Sequence, residues 1–125
     1  MTTSNKQFHL GQCAELSRTF GQDEGLLFAE LSVDTNPIHM NEEYAKETPF
    51  GSRIVHGMLV SSLFSTLFGT HLPGPGVIYL GQSLQFKAPV YLNDTITARV
   101  EITHIREDKP IATFQCECTN QSGAV

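Results

Sequence analysis

DTNPIHMNEEYAKETPFGSRIVHGMLVSSLFST, residues 34–66, contains both the helix that decides the fold and the polar residues that suggest chemistry. From Gly57 onward, Leu59, Val60, Leu63, Phe64, Leu67 and Phe68 recur at the three-to-four spacing of one broad helical face. Ser61, Ser62, Ser65 and Thr66 occupy the other face, and no charged residue lies between Gly57 and Thr70. A surface helix keeps a charged face toward water. This one has none, so it reads as a long central helix, about 57–69, wrapped by a sheet. Its small-residue side permits close approach by a neighbour.

Working back toward the N-terminus, the chain breaks into short elements. Pro37 fixes its own φ and turns Asn36 away from helical geometry, so Asn36-Pro37 reads as a turn inside a loop over 33–40. Asn41 is a suitable N-cap for a short helix over 42–47. Leu26, Leu27, Phe28 and Leu31 have helical spacing within 22–32, with Asp23 and Glu24 in the first turn, where acids favour the macrodipole. Residues 12–20 alternate loosely and predict a first strand. Short helices in the 22–47 region and a dense loop between them form the kind of segment where binding residues gather.

Toward the C-terminus, HLPGPG (71–76) is turn-rich, and three β-like runs follow at 77–87, 95–106 and 111–119. In the second, Ile96, Ala98, Val100 and Ile102 alternate with Thr95, Thr97, Arg99 and Glu101, the pattern of a half-buried strand. Asn93-Asp94 and Glu107-Asp108-Lys109 supply turns. A strand, then helices, then an antiparallel meander makes the fold class α+β. Asn120-Gln121-Ser122-Gly123 reads as a hairpin turn with only Ala124-Val125 after it. The expectation is a single domain over 1–125 that lacks a C-terminal strand, with an open edge along 111–119.

Composition narrows the chemistry. The chain has 125 residues, enough for one core, and a formal net charge of −5. Without a basic stripe, nucleic acid is not an expected partner. Cys13, Cys116 and Cys118 are odd in number and form no CxxC, so no disulfide framework or zinc site is indicated and half-buried thiols are expected. None lies in the 34–66 stretch, which disfavours a thiol nucleophile. His39 and His56 belong to no HExxH or HxxxH pattern, so no metal is expected, and no nucleotide-binding glycine motif occurs. MTTSNKQFHLGQ has no apolar signal segment, and the apolar run at 58–68 is too short to span a membrane. A cytoplasmic protein without a membrane partner is the expectation.

Three features bear on chemistry. Asp34 and His39 lie five residues apart across a proline turn, so a carboxylate and an imidazole can face one cavity and share a water. Two unrelated loop residues have the same spacing, and spacing alone does not separate these readings. His56-Gly57 opens the central helix, whose N-terminus offers unpaired N–H groups to a developing oxyanion; simple capping is the competing explanation. Ser65, further along the helix, has no nucleophile-elbow context.

Taken together, Asp34-Thr-Asn-Pro-Ile-His39, Tyr44-Ala45, Phe50-Gly51 and Ile54-Val55-His56-Gly57-Met58 closely resemble the MaoC-like, (R)-specific enoyl-CoA hydratase family. Pro73-Gly74-Pro75-Gly76, Gln82 to Phe86 and Pro89-Val90 extend that resemblance. It implies a hot-dog fold, paired as a homodimer, and reversible syn hydration of a trans-2-enoyl-CoA to the (R)-3-hydroxyacyl-CoA. It places the family's catalytic pair on Asp34 and His39, its oxyanion-binding amide on Gly57, its supporting helix serine on Ser65, and its loop-shaping asparagine on Asn36. No separate cofactor is implied, because coenzyme A, or an acyl-carrier protein, belongs to the substrate. Two rivals share the fold: an acyl-CoA thioesterase and a non-catalytic acyl-thioester-binding subunit. The Asp-Asn-Pro-His and His-Gly combination argues against both.

Overall fold

The structure, a computed structural model, describes residues 8–123. Its elements run β1 (Cys13–Thr19), α1 (Gln22–Ser32), α2 (Pro37–Met40), α3 (Glu42–Lys46), α4 (Gly57–Thr70), β2 (Thr95–Ile105) and β3 (Ala112–Thr119). The charge-free run has become α4. Val60, Leu63, Phe64 and Leu67 are buried on it, Leu67 completely. They meet the inward face of β2, where Ile96, Ala98, Val100 and Ile102 are all buried, and Phe20 and Val55 close the same cluster. Removing each large apolar side chain from water contributes about 1.5–3 kcal/mol, and this contact accounts for α4 sitting against the sheet.

The three strands form one antiparallel sheet in the order β1-β2-β3. Thr19 pairs with Thr95 and Cys13 with Glu101; on the other side Ala98 pairs with Cys118 and Val100 with Cys116. Slipping either pairing by one residue would turn the alternating apolar set of the slipped strand away from the core, so burial specifies the register. A bulge interrupts β2 between Ile102 and His104, and the hairpin tip is held by Arg106, whose guanidinium donates to both Asp108 oxygens at 3.0 and 2.6 Å.

Several expectations are corrected. The loop over 33–40 contains a helical turn, α2, because Asn36 Oδ1 accepts from the Ile38 N–H at 3.1 Å and Pro37 supplies a pre-set φ at the first helical position. Asn41 caps α3 through the Tyr44 N–H, as its sequence predicts. On α1 only Ala29 is buried, whereas Leu27 and Leu31 are 67% and 85% exposed, so the apolar spacing marks a face this chain leaves uncovered. On the small-residue side of α4, Ser61 is buried whereas Ser62, Ser65 and Thr66 are exposed. Residues 77–87, expected as a strand, join no strand ladder among the described residues. Alternation gives a strand its faces, but a ladder also requires a neighbouring backbone edge, and here a cavity separates this segment from β3.

The turn at 120–123 is present: the Gly123 N–H donates to the Asn120 carbonyl at 3.0 Å, with Gly123 at φ +83°. The expectation about a strand beyond it concerns chain outside the described residues, as do residues 1–7. Among the described residues, no helix is long and apolar enough to cross a membrane.

Candidate active site

A cavity of about 1130 Å³ opens beside the start of α4. Asp34, His39, His56 and Gly57 line it, and Phe64, Phe68, Leu84 and Phe114 contribute apolar walls. Phe68 packs between Tyr79 and Phe114, at ring-centroid distances of 5.2 and 4.8 Å, and so ties the 77–87 segment to β3 across the floor. The cavity thus combines apolar walls with the polar cluster of Asp34, His39 and His56, a combination that suits a ligand with a reactive head and a hydrocarbon tail.

Local backbone chemistry sets the polar cluster. Asp34 follows α1 immediately after Val33, which stands at φ +63° and reverses the chain. The Asp34 N–H donates to Ser32 Oγ at 3.2 Å, and Asp34 Oδ1 accepts from the Asn36 N–H at 3.3 Å. These bonds, together with the Asn36 cap, fold the Asp34–His39 segment over itself. The carboxylate remains exposed, while His39 is half-buried.

The His39 ring is oriented by the main chain. Its Nδ1 lies 2.8 Å from the Ile54 carbonyl oxygen, which can only accept. Nδ1 therefore carries the proton in the neutral ring, and Nε2 is left as the acceptor. His56 stacks on His39 with centroids 4.0 Å apart and planes 27° apart, and its Nε2 meets the Asp34 carbonyl oxygen at 3.0 Å. One donor atom from each of Asp34, His39 and His56 lies within 4.8 Å of the others. Imidazole lone pairs lie in the ring plane, so an ion shared by two stacked rings would sit well out of both planes.

Gly57 is the first residue of α4, and its N–H has no partner within the helix. A Cβ built there would fall 2.7 Å from Phe86 Cε1, so the absent side chain is what lets this wall approach the amide. Asp34, His39 and Gly57 all line this cavity. Ser65 does not join them: it is exposed on α4 and does not line the cavity. Ser61, which sequence reading passed over, is buried and lines it, with its Oγ donating to the Met58 carbonyl at 3.0 Å. The available signal was spacing, since Ser61 lies four residues after Gly57 and shares its helix face.

Cys116 and Cys118 also reach the cavity, as alternate residues of β3. Burial pushes both thiols up to about 11, so neither is a thiolate at neutral pH. Cys13 is exposed, contrary to the expected burial.

Residues 6–121 match the family described as "MaoC like domain". The chain belongs to the MaoC-like family. It is 52% identical over 122 residues to the (R)-specific enoyl-CoA hydratase of Aeromonas caviae, covering 98% of this chain and 91% of that one. It is 51% identical over 109 residues to the enzyme of the same name from Rhodospirillum rubrum, covering 87% and 76%. The solved structure of the (R)-hydratase from A. caviae superposes with a TM-score of 0.92 at 53% identity, covering 95% of this chain and 90% of that one. This MaoC-like chain has the hot-dog fold, an antiparallel sheet against a central helix.

Proposed function

We propose that this MaoC-like chain catalyses the reversible syn hydration of a trans-2-enoyl-CoA to the (R)-3-hydroxyacyl-CoA, a lyase reaction. The observation that carries the reading is the approach of Asp34, His39 and His56 to within 4.8 Å of one another in a cavity that Gly57, at the start of α4, also lines. The identity to (R)-specific enoyl-CoA hydratases over nearly the whole chain supports it.

In the hydration direction, a water sits between the Asp34 carboxylate and the bare His39 Nε2. The pair draws off one water proton as the oxygen bonds to Cβ. Electrons move through the Cα=Cβ bond to the thioester carbonyl, and the Gly57 N–H stabilises the enolate-like oxygen. The proton held by the pair then returns to Cα on the same face, so water adds without residue. The acid and base roles are assigned to the pair jointly.

The enzyme works as a homodimer in this reading. Ile78, Leu80 and Phe86 line the cavity yet are 65%, 69% and 62% exposed, and a second copy would cover this apolar segment. Ser65 belongs to the exposed face of α4. The protein acts in the cytoplasm.

The test is a spectrophotometric hydration assay with crotonyl-CoA, with chiral analysis of the product. Loss of enoyl absorbance with (R)-3-hydroxybutyryl-CoA as product is expected. Free-thiol release without hydration would instead favour the thioesterase, and tight binding without turnover a non-catalytic subunit.

A further inference from the structure

We propose that His56 is a positioning residue of this site, held as a single neutral tautomer, which fixes Asp34, His39 and the Gly57 amide relative to one another. The inference rests on the Asp34, His39 and Gly57 reading above.

His56 is only 1% exposed, and each of its polar edges has a distinct environment. Its Nε2 meets the Asp34 main-chain oxygen at 3.0 Å, a bond spanning 22 residues of chain. A carbonyl oxygen cannot donate, so Nε2 carries the hydrogen. A neutral imidazole has only one N–H, which leaves Nδ1 bare. Nδ1 is buried and has no partner among the described residues. A hydrogen on Nδ1 would have no acceptor to receive it. Hydrogen bonding and burial therefore select the same tautomer.

The ring faces are committed too. One neighbour is His39, stacked at 4.0 Å; the other is Phe28 of α1, at 4.9 Å and tilted by 59°. The main chain of His56 adds a third connection. Its carbonyl accepts the Leu59 and Val60 N–H groups at 3.0 and 3.2 Å and so starts α4, with Gly57 next in sequence. One residue thus holds the aspartate backbone, the face of the catalytic imidazole and the helix end that presents the oxyanion amide.

Helix capping and volume filling alone would not need this side chain. Capping α4 uses only the main-chain carbonyl, and a phenylalanine would fill the volume without burying an unpaired nitrogen. A buried polar atom without a partner disfavours folding, and such atoms persist where function requires them. Here the requirement is the Nε2–H bond to Asp34, and the bare Nδ1 is its consequence.

The test compares His56→Phe and His56→Gln with the full-length enzyme in the enoyl-CoA hydration assay, with folding checked by circular dichroism and Tm. His56→Phe keeps a ring against His39 but removes the donor. It should lower kcat by about 100-fold, the scale of an ångström-sized misplacement, with KM little changed. His56→Gln restores an N–H donor and should recover most of that loss. Independently, ¹⁵N NMR of histidine-labelled wild-type enzyme should show His56 as the Nε2–H tautomer at the assay pH.

A folded His56→Phe enzyme with near wild-type kcat overturns the proposal. So does a loss confined to KM, a folded His56→Gln enzyme no better than His56→Phe, or an Nδ1–H or doubly protonated His56. If His56→Phe does not fold, the Gln variant and the NMR tautomer still decide. If the wild-type enzyme hydrates no enoyl-CoA, the functional reading fails, while the tautomer measurement tests the placement of His56 separately.

Discussion

The segment from Asp34 to Gly57 and the segment from Val77 to Phe86 face the same cavity but are stabilised in opposite ways. In the first, short-range bonds specify each bend: Ser32 Oγ to Asp34, Asp34 to Asn36, Asn36 to Ile38, and Asn41 to Tyr44. The second has a β-like sequence but no ladder, and Ile78, Leu80 and Phe86 stand more than half exposed. Polar side chains that cap their own backbone can place chemistry almost without help. An apolar strand cannot place itself, because its stabilisation comes from surfaces that another part of the structure must supply.

Breaking the first segment should have the largest effect. Asp34→Asn and His39→Gln should each lower kcat by about 10²–10⁴-fold, the range attributed to positioned acid–base groups, with Tm nearly unchanged because neither side chain is in the core. Steady-state kinetics with crotonyl-CoA beside thermal unfolding checks this. Near wild-type turnover in both variants would remove them from the mechanism.

Gly57→Pro probes the same end through the backbone. Proline is well tolerated at the first helical position, and His56 at φ −55° and ψ 126° already has the extended geometry a residue before proline adopts. The variant deletes the oxyanion donor while leaving α4 intact. Because Phe86 would crowd the new ring, it is best made in a Phe86→Ala background. A drop of about 10²–10³-fold in kcat relative to Phe86→Ala alone is expected. An unchanged kcat would show that the amide touches no developing charge.

In the second segment the sensitive quantity is association. Leu80→Lys should weaken the dimer, read as a shift toward monomer in sedimentation equilibrium, with helix content preserved. A protein that is monomeric with or without the substitution would refute the assignment of this apolar surface to a subunit contact.

The smallest effect concerns the cavity thiols. With ordinary values near 9 and folded-state values of about 11, Cys116 and Cys118 keep their protons longer when folded than when unfolded. Their contribution is therefore intact below pH 9 and is lost as pH rises from about 9 to 11, where the unfolded chain has already released them. At pH 8, iodoacetamide should modify exposed Cys13 first and Cys116 and Cys118 much more slowly. Equal rates at all three would mean that β3 does not shield its thiols.

Much of this molecule was legible before any coordinates. The central helix followed from spacing and an absence of charge, and β2 from strict alternation. Asn41 as a cap, Asn36-Pro37 as a bend, and Gly57 as a helix start each follow from a single residue's local chemistry. Reading Asp34 and His39 as a pair required the family resemblance, because their separation in sequence does not say that they meet. Ser65 illustrates the limit: its helix was right, but the packing side of a serine depends on what lies opposite, and Ser61 is the serine turned into this chain's cavity.

The sequence alone determined where helices begin, where the chain turns and which strand face is buried, because those depend on groups a few residues apart. Only the tertiary structure decided that His39 rests on His56, that the Asp34 carbonyl receives His56 Nε2–H, and that residues 77–87 face β3 across a cavity without pairing. Those contacts join parts of the chain far apart in sequence. They exist because the burial of α4 against β2 brings the parts together.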